Sequence, residues 1–333
     1  MNLVPEQLNA DSNEVVDAAR LLHSLLSPEM TQRAKRLESG ETVLVHYTSA
    51  ENAVRIIRDG QFWLRNVRCM NDYSEVQHGI SLILSAFHAE GSKRRDRLLE
   101  LCNRVASGAA EAAIASFDLW KGELPAGAFI GCLSEHDPAD ELGRLSMWRA
   151  YASGAGVAIV MNNTPFVAET DELKAYSVPI LYLSDAEFGE AIDRCLDSVE
   201  ANLKDLVHLD APTLTNIVFW WLIFLSVSLK HPAFKEELEW RVIYLPVLNR
   251  SPVIEEALET VGGLPQLVQK IPLRDDKAAG LHGADVPNLV RMLIIGPSEF
   301  PLVIKDALVA AMRKASVNAP EEKVRISWIP LRS

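Results

Sequence analysis

The chain has 333 residues, 48% hydrophobic and 23% charged, enough for a well-buried core, so disorder is not the default reading. Its formal net charge of −12, from 45 acidic and 33 basic residues, gives no overall pull on phosphate polymers, so free nucleic acid is not an expected partner. The four cysteines, Cys69, Cys102, Cys132 and Cys195, form no C-x-x-C pair, which excludes zinc-ribbon spacing and a disulfide framework.

Met1-Asn2-Leu3-Val4-Pro5-Glu6 has neither a basic segment nor an apolar one, so no secretory signal is visible and a cytoplasmic location is expected. Residues 1–40 read as an N-terminal helical arm: Val15, Val16, Ala19, Leu22 and Leu26 recur at helical spacing before Pro28 interrupts. Thr42–Tyr47 is the first convincing strand. It runs into Thr48-Ser49-Ala50-Glu51, a capping-box pattern for a helix carrying Val54, Ile56 and Ile57. Gly60 suits the residue after that helix, and Gln61–Arg65 then reads as a second strand.

One long helical region is expected from about Ser74 to Ala115, followed by a buried strand over Ala126–Ser134 and an acidic loop over Glu135–Glu141. Ser146–Tyr151 predicts one or two helical turns. Strands follow at Val157–Met161 and Val178–Leu183, then helices at about 185–207 and 212–230. Ile217–Leu229 is strongly apolar but shorter than the roughly 20 residues that span a bilayer, so it predicts a core helix and no membrane partner. Further strands at 239–246, 269–273, 291–295 and 324–329 and a helix over 300–314 complete the chain. Strands and helices do not alternate strictly, which argues against a doubly wound sheet. The expected fold is a single α+β domain over 41–333, with a mixed, mostly antiparallel sheet, helices packed on one side and a helical insertion near 185–230.

No G-x-x-x-x-G-K-[ST], G-x-G-x-x-G, H-E-x-x-H or G-x-S-x-G pattern is present, which removes P-loop, Rossmann, zincin and α/β-hydrolase chemistry. Instead, polar clusters sit within apolar runs, where an unpaired buried polar group costs about 1–3 kcal/mol. His46 and Tyr47 end the first strand and point to opposite faces of it; the plain alternative is a carbonyl-bonded His and a core Tyr. Asn71-Asp72-Tyr73-Ser74-Glu75 has the form of a helix cap, with Glu75 in the first turn and His78 one turn on. A single Glu-x-x-His with Asp72 is a weak metal pattern, and no metal is expected.

In Glu237-Leu238-Glu239-Trp240-Arg241 the two carboxylates and the arginine alternate onto one face, suiting either charge-assisted ligand binding or a cross-strand salt bridge. Met147-Trp148-Arg149-Ala150-Tyr151 adds an arginine able to meet an anion, or else a surface helix anchored by Trp148. Lys93-Arg94-Arg95 with Arg97 is the one local basic cluster and reads as a solvated helix end.

The ordered set His46-Tyr47-Thr48, Met70-Asn71-Asp72-x-x-Glu75, Cys132-x-Ser134-Glu135, Met147-Trp148-Arg149-x-Tyr151 and Lys230-His231-Pro232 with Glu237-x-Glu239-Trp240-Arg241 resembles a large bacterial family of unknown function, over roughly residues 40–300. That likeness implies one shared site and no particular activity.

A second likeness is to the ADP-ribosyltransferase fold, in the His at the first strand end, the short helix, the second strand and the late Glu-x-Glu strand. It implies NAD as substrate, with transferase or glycohydrolase activity, in the manner of a bacterial toxin or defence effector. It further implies that His46 holds a ribose hydroxyl, that Tyr47 or Tyr151 stacks on the nicotinamide, and that Glu239, or else Glu237, is catalytic. Thr48, Asn71, Asp72, Glu75, Arg149 and Arg241 complete the expected ligand site. No clear Ser-Thr-Ser strand matches that fold; Cys132-Leu-Ser134 is a loose substitute. The partners implied are a small nucleotide-like ligand and a macromolecular acceptor. Two other classes stay open: a non-catalytic binding module, and a metal-assisted hydrolase built on Asp72, Glu75 and His78.

Overall fold

A computed structural model describes residues 13–69, 73–89, 91–151, 154–168 and 171–330. Pro28 does not break the N-terminal arm at random. It occupies the first turn of a new helix, where its missing N–H costs nothing, so the arm is two helices, α1 (Asn13–Leu26) and α2 (Pro28–Glu38). β1 (Val43–Ser49) runs two residues beyond the expected strand end. Ser49, not Thr48, therefore caps α3 (Ala50–Asp59) by accepting from Asn52 N. Gly60, at φ 60°, turns the chain into β2 (Gln61–Asn66).

The long helical region is three helices, α4 (Tyr73–Phe87), α5 (Lys93–Val105) and α6 (Ala109–Trp120). Ser92 restarts the second by accepting from Arg95 N. Then follow α7 (Leu124–Gly127), β3 (Phe129–His136), α8 (Leu145–Tyr151), β4 (Ala155–Met161), α9 (Thr164–Val167), β5 (Ala175–Pro179) and β6 (Leu181–Tyr182). The next stretch holds α10 (Asp185–Ala201), α11 (Leu203–Leu206), α12 (Ala211–Ser228) and β7 (Leu229–Lys230). After a 3₁₀ turn at Pro232–Glu237 come β8 (Glu239–Tyr244), β9 (Glu255–Val261), β10 (Leu264–Pro272), α13 (Val286–Leu289), β11 (Val290–Ser298), α14 (Pro301–Lys314), α15 (Pro320–Lys323) and β12 (Val324–Ile326).

The main sheet is mixed and mostly antiparallel, with β11–β12 its one parallel pair among the described residues. Helices cover both faces rather than one. On one face α12, buried along most of its length, is surrounded by α1, α4, α6 and α10. α2, α3 and α14 pack on the other. α12 is the one described helix long and apolar enough to cross a membrane, and its apolar surface is largely spent on this core. Two basic residues of α5 pair with α10: Arg94 with Asp193, and Arg97 with Asp197 and Glu200.

The feature that positions the site is a fork. β8 pairs with β3 along Phe129–Ser134 on one edge. On the other edge β1 takes Ser134–His136 and β2 takes only Phe129 and Ile130. β1 and β2 therefore diverge, leaving Gly131–Leu133 without a partner strand on that edge among the described residues.

α4 approaches α12 at Gly79, where an added Cβ would strike the backbone carbonyl of Ser226. Gly79→Ala is expected to cost about 1–3 kcal/mol through overpacking, read as a lowered midpoint in thermal unfolding; an unchanged midpoint would contradict this packing.

Candidate functional site

The fork opens into a cleft of about 360 Å³. β3 residues 130–134 form its floor. His46 and Thr48 of β1, Asn52 and Arg55 of α3, Trp63 and Arg65 of β2, Tyr151 of α8, and Glu237 and Glu239 contribute to the walls.

His46 Nδ1 lies 2.9 Å from the carbonyl oxygen of Cys132, on the β3 edge that no strand covers. A carbonyl only accepts, so Nδ1 carries the proton and Nε2 presents a lone pair. Burial lowers the imidazole pKa against the opposing effect of that bond, which keeps the ring neutral. Phe62 meets it edge-on at 5.2 Å. Tyr47 points the other way, as alternation requires. It packs edge-on against Trp148, and its hydroxyl accepts from Arg144 N at 2.8 Å, so it is a core residue rather than a stacking platform.

Arg144 also donates to the backbone carbonyls of Glu237 at 2.9 Å and Glu135 at 3.0 Å. One side chain thus ties the start of α8 to β3 and to the segment carrying Glu237. Trp148 is buried and Arg149 is exposed, outside the cleft lining; Tyr151, on the same helix, reaches the cleft.

Beside the cleft lies a buried ion cluster. Lys230 Nζ is 3.0 Å from Glu75, 2.8 Å from Glu237 and 3.1 Å from Glu239. Arg241, fully buried, pairs through Nε with Glu239 at 2.8 Å and through its terminal nitrogen with Glu75, and donates to Val227 O at 2.9 Å. Burial alone would raise the Glu239 carboxyl, but Arg241 and Lys230 outweigh it and hold it below the usual carboxylate range. Burial would likewise lower Lys230, and Glu239, Glu237 and Glu75 instead hold it above the usual lysine range. Glu239 therefore has both oxygens engaged and a side chain only 4% exposed. Glu237 bonds Lys230 through one oxygen and is 20% exposed.

The backbone behind this pair is equally fixed. Tyr182 Oη accepts from Glu239 N at 2.7 Å, Arg33 donates to Glu239 O at 3.1 Å, and the indole of Trp240 donates to Glu135 at 2.9 Å.

Of the residues read from the sequence, His46, Tyr47, Thr48, Tyr151, Glu237 and Glu239 share the cleft lining, although the Tyr47 ring packs on Trp148 and its hydroxyl accepts from Arg144 N. Glu75 and Arg241 stand behind it, holding the carboxylates. Asn71 and Asp72 lie outside the described residues. Glu75 already neutralises two cations, and no group of three or more metal-ligating side chains converges among the described residues. Sequence reasoning quoted Lys230 in the ordered motif set without giving it a role, and passed over Asn52, Arg55, Trp63 and Arg65. The alternation of Trp63 and Arg65 in β2 was the signal available for that pair.

Residues 147–242 match the model of a family described as Protein of unknown function (DUF2971). That stretch runs from α8 to β8 and carries Tyr151, Lys230, Glu237, Glu239 and Arg241. No curated protein and no solved structure matches the chain.

The signs of the two pKa shifts set a pH dependence. A depressed Glu239 contributes stability above the ordinary carboxylate pKa of about 4.3 and loses it as pH falls through its folded value; a raised Lys230 contributes below about 10.4 and loses it only above that. Lys230→Met is expected to cost about 3–5 kcal/mol at neutral pH, by stranding buried carboxylates. It should also flatten the acid-side fall in stability, as read by denaturant unfolding across pH. A variant as stable as the parent, with the same acid limb, would refute the cluster's role.

Proposed function

We propose that the cleft binds NAD and cleaves the N-glycosidic bond to nicotinamide, as an ADP-ribosyltransferase or NAD glycohydrolase. The observation that carries this reading is that a neutral His46 acceptor and an accessible carboxylate, Glu237, line one cleft beside a carboxylate, Glu239, paired with two cations. His46 Nε2 accepts from a ribose hydroxyl. The C1′–N bond breaks with its electron pair leaving on the nicotinamide nitrogen, whose positive charge is thereby cancelled. The oxocarbenium left at C1′ is stabilised by negative charge already in place.

Glu237 is the better candidate to face that carbon, because Glu239 has both oxygens committed to Arg241 and Lys230. Glu239 then acts as a positioning residue, fixing Lys230 and through it Glu237. The reaction closes when water, or a hydroxyl or amine of a macromolecular acceptor, adds to C1′ and its proton passes to Glu237 and on to solvent. Water yields ADP-ribose, nicotinamide and a proton; an acceptor yields the ADP-ribosylated product.

A second reading has its own support. A carboxylate locked between two cations and buried backbone anchors also suits a rigid module that binds a nucleotide without turnover.

The deciding measurement is nicotinamide release from NAD by the purified chain, run beside calorimetric NAD binding. Glu237→Gln is expected to cut release at least about a hundredfold while sparing NAD binding. Binding without release by the folded parent would favour the binding module. Absence of NAD binding would sink both nucleotide readings.

A further inference from the structure

Arg65 is a half-buried cation in the cleft wall without a carboxylate partner among the described residues. Its Nε donates to the side-chain oxygen of Gln266 at 3.0 Å and one terminal nitrogen donates to the carbonyl of Cys69 at 2.9 Å. Both acceptors are neutral. They orient the guanidinium without cancelling its charge, and two of its five N–H donors are used among the described residues. Withdrawing an arginine from water without a counterion costs stability, so an uncompensated one facing a cleft suits an anion brought from outside. The two carboxylates that line the cleft are committed elsewhere, to Lys230 and Arg241.

A second arginine lines the same end. Arg55 of α3 lies over the Trp63 ring at 5.4 Å, and its one ion pair among the described residues, to Glu51, is an exposed (i, i+4) contact. Such a pair is worth only a few tenths of a kcal/mol and yields readily to a ligand. The cleft is thus electrically polarised. Arg65 stands opposite Ile130 and Glu239 opposite Ser134, so the cationic and carboxylate ends are four residues, about 13 Å, apart along β3.

We propose that Arg65, assisted by Arg55, forms a phosphate subsite that makes the cleft prefer phosphorylated nucleotides to nucleosides. This rests on the reading of the cleft as a nucleotide site and is independent of turnover. The planar arginine fork suits two phosphate oxygens at once. A diphosphate several bonds from the sugar carbon then lies at one end while that carbon faces Glu237 at the other.

The test is calorimetric titration of the full chain with ADP and with adenosine. ADP holds no nicotinamide bond, so the outcome does not depend on whether the protein is an enzyme. ADP is expected to bind at least about tenfold more tightly than adenosine. Arg65→Gln should weaken ADP by about tenfold or more and leave adenosine unchanged, with Arg65→Lys between. On the parent protein, raising salt should weaken ADP and not adenosine, a readout that stands even if the Arg65 variants fail to fold. The proposal is overturned if folded parent protein does not bind ADP, if adenosine binds as tightly, if salt affects both alike, or if folded Arg65→Gln binds ADP as the parent does. Absent nicotinamide release alongside intact ADP selectivity would remove the catalytic reading and leave the subsite standing.

Discussion

Every buried peptide group needs a partner, and β3 meets that requirement in two different ways on its two edges. Against β8 it is laddered without interruption from Phe129 to Ser134. Against β1 and β2 it is laddered only at its ends, because those strands separate around α3. The gap is where the backbone can be reached, and His46 satisfies the Cys132 carbonyl from there. The same bond fixes the imidazole tautomer. One backbone constraint therefore creates the cleft, orients its histidine and exposes its floor.

The second constraint is electrostatic. Three carboxylates and two cations share the space behind the cleft, and desolvating five charges is repaid only when the geometry leaves few of them short of a partner. Arg241 is fully buried and reaches Glu75, Glu239 and a backbone carbonyl at once, which fixes α4, the end of α12 and β8 together. Arg33, Arg144, Tyr182 and Trp240 then hold the backbone on either side. The outcome is a preorganised carboxylate pair with unequal freedom: one oxygen-saturated and buried, the other able to meet a ligand. At the opposite end the balance reverses, and among the described residues no carboxylate cancels the charge of Arg65.

Much of the fold was legible along the chain. The strand–helix–strand unit ending at Arg65, the turn at Gly60 and the core character of α12 all follow from local periodicity and turn chemistry. Other elements were not legible, for identifiable reasons. β9, Glu255–Val261, is an edge strand with no fully buried position, so it shows no apolar alternation. The region after Ser74 holds three helices whose apolar faces follow one another closely enough to read as one. For the site, alternation separates His46 from Tyr47, but cannot say which faces the cleft. Arg149 and Arg65 look equivalent as isolated arginines; one lies on an exposed helix face and the other on a strand beside the fork.

The sequence by itself determined that this chain has a large core, an α+β composition and clustered carboxylates and arginines embedded in strands, because these follow from residue type and spacing. Only the tertiary structure decided that β1 and β2 part from the same edge of β3, that Lys230 joins three glutamates, and that Arg65 stands without a carboxylate among the described residues. Those facts depend on pairings between residues far apart in the chain, such as Glu75 with Arg241 at 166 positions and Arg65 with Gln266 at 201. Strand register and charge pairing at that separation are set by packing of the whole domain, and no local pattern encodes them.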